Sequence, residues 1–151
     1  MFHLVLDNIR SLHNVGSLFR TGDGAGFSHM HLCENTGVPP RKEISKTALG
    51  AEEFVSWQHW SDTEKCIKTL KSKGFYIVAM EISDTSVDYR ELDFSQYDKV
   101  ALVLGNEVHG VRQHIQELCD AVVHLPMRGQ KGSLNVCQAA SVLMYEILRS
   151  R

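Results

Sequence analysis

The run Lys99 to Leu104 is almost continuously apolar and stops at Gly105. A strand with one wet face alternates polar and apolar residues. A strand apolar throughout is covered on both faces, as in parallel sheets flanked by helices. That one run therefore directs the chain toward a layered α/β architecture. Phe2 to Leu6, His29 to Cys33, Phe75 to Ile82 and Ala121 to Leu125 read as further strands, rich in β-forming residues. Asn14 stands where a side-chain oxygen can cap a helix, and Val15, Leu18 and Phe19 follow as an i, i+3, i+4 apolar stripe. Thr63 to Lys73 places Cys66, Ile67 and Leu70 on one face and lysines on the other, and Gly74 closes it. Val111 to Leu118 reads as a short helix and Leu134 to Leu148 as a long one. Lys46 to Ala51 reads as a small-residue turn, Ser83 to Tyr97 as a polar connection, and Ala51 to Trp60 has no decisive pattern. Alternating strands and helices predict an α/β fold, a parallel sheet flanked by helices.

At 151 residues the chain is read as one domain with a sizeable core. No apolar run approaches the roughly 20 residues that span a bilayer. The amino-terminal segment lacks the basic region of a signal peptide. The expectation is a cytoplasmic protein with no membrane association. Cys33, Cys66, Cys119 and Cys137 show neither metal nor redox spacing and are expected to be reduced. His29 and His31 share one strand face without a third ligand nearby in sequence, so no metal site is expected. The net charge of −2 argues against a strongly basic nucleic-acid binder but leaves room for local phosphate-binding patches. Candidate cations for these are Arg10, Arg20, Arg41, Lys42, Lys46 and Arg128, with Lys131 beside them.

Three polar loops stand out against the apolar runs. Leu125 to Val136 holds two glycines, two cations, a serine and an asparagine between a strand and a helix. Leu102 to Val111 runs from a strand into Gly105-Asn106-Glu107 and then Gly110. Asn14 to Arg20 follows the first strand. Open α/β sheets place ligands at the carboxyl ends of their strands, where the first two loops fall. Gly16 lies one helical turn before Arg20. It either clears a path to the guanidinium or permits close helix packing. The glycines at 22, 24 and 26 do not form a dinucleotide fingerprint. Their spacing is wrong, and they close a helix instead of opening one.

Taken together, these loops resemble the SpoU/TrmH branch of the SPOUT superfamily, S-adenosylmethionine-dependent RNA ribose 2′-O-methyltransferases. The resemblance runs from Leu4 to Leu148. It rests on Asn14, Gly16, Arg20 and Gly26-Phe27, on Gly105-Asn106-Glu107 and Gly110, and on Pro126-Met127, Gly129 and Ser133-Leu134-Asn135-Val136. Lys46 to Glu53 looks like the transfer-RNA-type members. The departures are Val108-His109, where smaller residues are common, and Cys137, where a serine is common.

The resemblance implies a parallel sheet with a C-terminal deep trefoil knot. It also implies a homodimer, in agreement with the wide apolar arc of Val136, Ala139, Ala140, Leu143 and Ile147 on the last helix. It makes residues 1–151 a single methyltransferase domain without a separate RNA-binding extension, which an accessory RNA-binding partner would have to supply. The substrate class it implies is RNA, transfer RNA first and ribosomal RNA as the alternative. The other functional class is a non-catalytic RNA-binding module that kept the fold.

Under this reading Leu104, Gly105, Asn106, Glu107, Gly110, Leu125, Met127, Ser133, Leu134 and Asn135 hold S-adenosylmethionine, apolar walls serving the adenosine faces and backbone groups its edges. The catalytic set is Arg20, Asn14, Glu107, Ser133 and Asn135. Family proposals make the Arg20 equivalent the base. A guanidinium with pKa above roughly 12 is better suited to clamp a phosphate and orient the ribose. The proton acceptor is then a phosphate oxygen, water or Glu107. Ser133 and Asn135 also read as ordinary helix caps, a role compatible with function.

Overall fold

The computed structural model describes residues 1–149 and 151. In chain order its elements are β1 (Phe2–Asp7), α1 (Leu12–Ala25), β2 (His29–Cys33), α2 (Lys42–Ala48), β3 (Ser56–Trp60), α3 (Thr63–Ser72), β4 (Tyr76–Met80), β5 (Val87–Asp88), β6 (Val100–Leu104), α4 (Gln113–Leu118), β7 (Ala121–His124) and α5 (Val136–Leu148). Seven strands form one sheet in the order β3-β2-β1-β6-β4-β7-β5, and every pairing is parallel.

The apolar run from Lys99 to Leu104 forms β6 from Val100 onward, at the centre of the sheet, with all five residues of the strand buried. Its side chains alternate between two cores. Leu102 and Leu104 join Leu4, Leu6, Phe19, Leu143 and Ile147 on the α1 and α5 side. Ala101 and Val103 join Val5, Cys66, Ile67 and Ile115 on the α3 and α4 side. Among the described residues no helix is long and apolar enough to cross a membrane.

Five local expectations change. The cap of α1 is Ser11, whose hydroxyl accepts the Asn14 N–H at 3.2 Å. Asn14 lies inside the first turn of the helix, and its side-chain amide donates to Glu107 at 3.2 Å. Residues 46 to 48 belong to α2, which starts at Lys42; Ile44 and Ala48, four apart, are its buried pair. Ala51 to Trp60 resolves into a 3₁₀ turn and the exposed edge strand β3. The polar connection 83 to 97 contains the two-residue strand β5 and two 3₁₀ turns. The helix expected from Leu134 begins at Val136, capped by Asn135.

Gly16 is explained by helix packing. A Cβ there would lie 2.1 Å from Thr47 Oγ1 and 2.2 Å from the Ile44 carbonyl oxygen, both in α2. Thr47 in turn donates to the His13 carbonyl at 2.7 Å. We expect Gly16→Ala to cost about 1–3 kcal/mol, the scale of overpacking a tight contact. A urea-unfolding midpoint unchanged from wild type would contradict this account of the α1–α2 contact.

At the carboxyl ends of β1 and β2, Arg112 bridges two carboxylates. Its guanidinium donates to Asp7 from Nη2 at 2.7 Å and from Nε at 3.2 Å, and it also pairs with Glu34. Thr63 Oγ1 lies 2.6 Å from an oxygen of each carboxylate. Asp7 is wholly buried, an arrangement that is tolerable because the charge is paired. The network ties β1, β2 and the starts of α3 and α4 together. Burial alone would raise the Glu34 pKa, but the bonds from Thr63 and Arg112 hold it below the usual carboxylate value.

At the amino ends of the same strands His3, His29 and His31 cluster, with ring centroids 4.5 to 5.2 Å apart. Trp60 Nε1 donates to His31 Nδ1 at 3.0 Å, so neutral His31 carries its proton on Nε2 and donates it to His3 Nδ1, also at 3.0 Å. His3 is the third imidazole that sequence spacing missed, yet no group able to hold a metal ion forms among the described residues.

Burial, with neighbouring cations second, lowers His3 to about 4 and His31 to about 3. The unfolded chain takes up these protons near pH 6.5 while the folded chain does not. This contribution to stability is therefore complete above about pH 6.5 and declines as the pH falls toward 4. We expect urea midpoints to drop between pH 7 and pH 5, and His31→Gln to flatten that drop. A wild-type midpoint constant across the interval would contradict this assignment.

Candidate functional site

The parallel sheet brings the loops after β4, β6 and β7 to one end, and a cleft of about 410 Å³ opens between them. Gly105, Asn106, Glu107 and Gly110 form one wall, and Ser133, Leu134 and Asn135 the other. A smaller recess of about 90 Å³ continues from it and is lined by Leu125, Met127, Ser133 and Leu134. Nine of the ten residues expected to hold a cofactor thus converge. Leu104 does not line either space. It is the fully buried last residue of β6, packed in the core beside Leu6. A continuously apolar strand gives no mark where core ends and cleft begins.

The loop from Gly105 to Val111 folds back on itself. Asn106 and Gly110 exchange backbone hydrogen bonds of 3.2 and 2.8 Å. Asn106 Oδ1 accepts the N–H groups of Val108 and His109, and its Nδ2 donates to the Asn8 carbonyl at 2.8 Å. A Cβ on Gly105 would lie 2.2 Å from the Gly110 carbonyl carbon. Gly105 is thus required by the loop's own closure, whereas the sequence reading gave it to ligand approach.

Glu107 reaches the amino end of α1. Its Oε1 accepts the Ser11 N–H at 3.0 Å and Asn14 Nδ2 at 3.2 Å; its Oε2 accepts the Arg10 N–H at 3.2 Å. Burial disfavours the charged carboxylate, but these donors, Ser11 foremost, outweigh it and hold Glu107 below its usual pKa. A helix amino end favours negative charge for the same reason. Such a carboxylate organises the site and is a weak proton acceptor. Asn14 also receives the Cys137 thiol, 3.4 Å from its Oδ1, which links the first motif to the start of α5. Burial pushes that thiol up to about 11, so it stays protonated.

Asn135 is a cap, accepting the Cys137 N–H at 2.8 Å. Ser133 does not cap α5; it is exposed and faces both the cleft and the recess. Arg20 is exposed on α1, outside both spaces, with no hydrogen bond or ion pair among the described residues. Its neighbour one turn back, Gly16, is covered by α2. The Arg10 side chain lines an adjoining polar space of about 290 Å³ with His109 and Arg112. Arg41, Lys42 and Lys46 lie exposed at and along α2, and Arg128 is exposed just beyond Met127.

Met80, Glu81 and Ala139 line both spaces, and the sequence reading missed them. Glu81 is the informative case. Its carboxylate accepts the Val111 N–H at 2.7 Å and the Ile82 N–H at 2.9 Å. A Cβ on Gly110, whose φ is +68°, would lie 1.8 Å from Glu81 Oε2. The strand expected through Ile82 ends at Met80, so this carboxylate stands at a strand's carboxyl end.

A parallel α/β sheet with a closed glycine loop and a capped helix facing one another across a cleft is the arrangement in which open α/β proteins bind small ligands. The SpoU rRNA methylase family model matches residues 1–145, and the chain belongs to that family. It is 34% identical over 148 residues to a putative TrmH family tRNA/rRNA methyltransferase of Staphylococcus saprophyticus, covering 98% of this chain and 58% of that one. The chain thus spans a little over half the length of that relative. It superposes with a TM-score of 0.92, at 29% identity, on an AdoMet-bound rRNA methyltransferase from Sinorhizobium meliloti, covering 98% and 56% of the two chains. With an RNA 2′-O ribose methyltransferase the TM-score is 0.87 at 26% identity, covering 99% and 56%.

We expect Glu107→Ala to lower stability by about 1–3 kcal/mol, because three donors lose their acceptor. Hydrogen exchange at Arg10 and Ser11 should accelerate at the same time. Unaltered exchange at both amides would show that Glu107 does not hold the amino end of α1.

Proposed function

We propose that this chain transfers a methyl group from S-adenosylmethionine to a ribose 2′-hydroxyl of RNA, with transfer RNA the first candidate and ribosomal RNA the second. The observation that carries the reading is the convergence of Asn14, Glu107, Ser133 and Asn135 around one cleft at the carboxyl end of the sheet. The cleft suits the cofactor. Leu134 and Met80 give apolar wall, the neighbouring recess adds Leu125 and Met127, and the loop supplies backbone polar groups. Gly129 and Gly132 leave open space around their α-carbons in the connecting loop.

S-adenosylmethionine, when bound, supplies an electrophilic methyl carbon on a sulfonium. The residues of this chain supply orientation and exclude water, and much of the rate of an in-line displacement can come from alignment. Glu107, already accepting three hydrogen bonds, fixes Asn14 beside the cleft. Ser133 presents its hydroxyl where a substrate group would enter. The 2′-hydroxyl proton passes to water or a phosphate oxygen, since Glu107 is held in its charged, weakly basic form.

Arg20 belongs to this machinery through a second copy of the chain. It does not reach the cleft of its own protomer, and Val142 and Tyr145 of α5 remain exposed as an apolar contact surface for a homodimer. The knotted threading of the C-terminal segment and a cytoplasmic setting with its cysteines free go with the same reading.

Incubation with labelled S-adenosylmethionine and total RNA, followed by nucleoside mapping, tests the assignment. A 2′-O-methylated nucleoside is expected; base methylation or no transfer would overturn it. Arg20→Ala should leave S-adenosylmethionine affinity within a few-fold and reduce methyl transfer at least about a hundredfold. Arg20→Lys should rescue little, because it lacks the planar fork. Full activity in the alanine variant would remove Arg20 from the mechanism.

A further inference from the structure

A second cleft lies at the amino ends of β1, β2 and β4, the opposite end of the sheet from the candidate site. Its volume is about 530 Å³, within the usual range for ligand pockets, and its lining includes His3, His29, His31, Phe75, Lys73 and Lys99. Among the described residues no carboxylate lines it. Flat rings make its wall: His3 stands 4.5 Å from Phe75 and 5.2 Å from His29, centroid to centroid. The His3 and His31 orientations are fixed by the Trp60–His31–His3 hydrogen-bond chain. Lys99 is likewise placed, since its Nζ donates to the Lys73 carbonyl at 2.8 Å and sits 5.8 Å from the Phe75 ring centroid. Burial keeps His3 neutral at physiological pH, and the His3 and His29 rings remain partly exposed, so they offer faces while the lysines offer charge.

An uncharged aromatic wall beside two ammonium groups, with no opposing carboxylate, complements a flat base joined to a phosphate. We propose that this cleft binds one nucleotide of a single-stranded RNA segment, its phosphate at Lys73 and Lys99 and its base against the His3 and His29 rings, which Phe75 backs from the core. Stacking on aromatic side chains together with backbone charge contacts is how sequence-tolerant single-strand binding is built. The proposal rests on RNA being the substrate and gives it a second anchor. A five-residue strand is about 17 Å long, so a strand of RNA held at both ends of the sheet must be several nucleotides long. The anchor fixes the approach of the RNA and takes no part in methyl transfer.

The test uses a fluorescent single-stranded RNA 12-mer, with anisotropy read across a salt series on the full chain. Lys73→Ala/Lys99→Ala should weaken binding about tenfold and reduce the magnitude of the salt slope by about 0.7, the value for one phosphate contact on a single strand. Lys73→Arg/Lys99→Arg should restore both, and His29→Ala should weaken binding with the slope retained. S-adenosylmethionine affinity should stay unchanged in all of them, and Lys73→Ala alone guards against misfolding of the double variant. Affinity within twofold and an unchanged slope, in a protein that still methylates RNA, would overturn the anchor and leave the catalytic reading standing. Failure of the wild type to bind or methylate RNA would overturn both. Adenosine monophosphate that perturbs the histidine NMR signals at micromolar concentration without displacing the RNA would make the occupant a free nucleotide, overturning the RNA assignment.

Discussion

The loop from Gly105 to Val111 is held from two sides by carboxylates. Glu107, within the loop, reaches out to the amino end of α1, and Glu81, outside it, reaches in to Val111. Each oxygen of either carboxylate accepts a backbone N–H. A bond from a charged acceptor to an amide is stronger than a neutral pair, and a buried amide left without an acceptor is costly. In this conformation the N–H groups of Val108, His109, Gly110 and Val111 all find acceptors. The cleft wall, the position of Asn14 and the start of α1 all follow from it. Asn106 completes the arrangement by tying the loop to the Asn8 carbonyl.

The same economy appears at the neighbouring strand ends, where Arg112 joins Asp7 and Glu34. The residues just past β1 and β2, Asn8 and Glu34, sit at φ of 59° and 56°. Left-handed backbone at non-glycine residues costs of order 1–3 kcal/mol and persists where surrounding bonds over-determine it. Here those bonds are visible: Asn8 Oδ1 accepts the Asn35 N–H, and Glu34 pairs with Arg112 and Thr63. Polar pairing at the strand ends and apolar packing along the strands thus divide the work. The first fixes where the chain turns; the second fixes that the layers meet.

The extent to which this was legible in the sequence follows that division. The central strand, its flanking helices and the three polar loops could be read because period and composition carry them. Asn14 as a cap was a wrong reading. Ser11 also fits the cap pattern, and only the distant Glu107 decides between the two. The helix α2 was missed because its apolar content is small, and its burial depends on Gly16 opposite. Leu104 and Glu81 were misplaced for a common reason: strand ends lie one or two residues from where composition changes, so a core residue was read as lining and a lining residue as strand. Arg112 and His3 gave no local signal at all, since their partners are 105 and 28 residues away.

The two margins of the sheet are unequal. At one, β5 contributes two residues and presents almost no backbone to a neighbour. At the other, β3 runs for five residues, and Ser56, Trp57, Gln58 and His59 are exposed. A strand added to this sheet would therefore be templated on one side only, along the row of donors and acceptors that β3 leaves free. Growth has a direction in this molecule. A fusion that extends the sheet should be joined next to β3, while the β5 margin suits a tag that must stay apart from it.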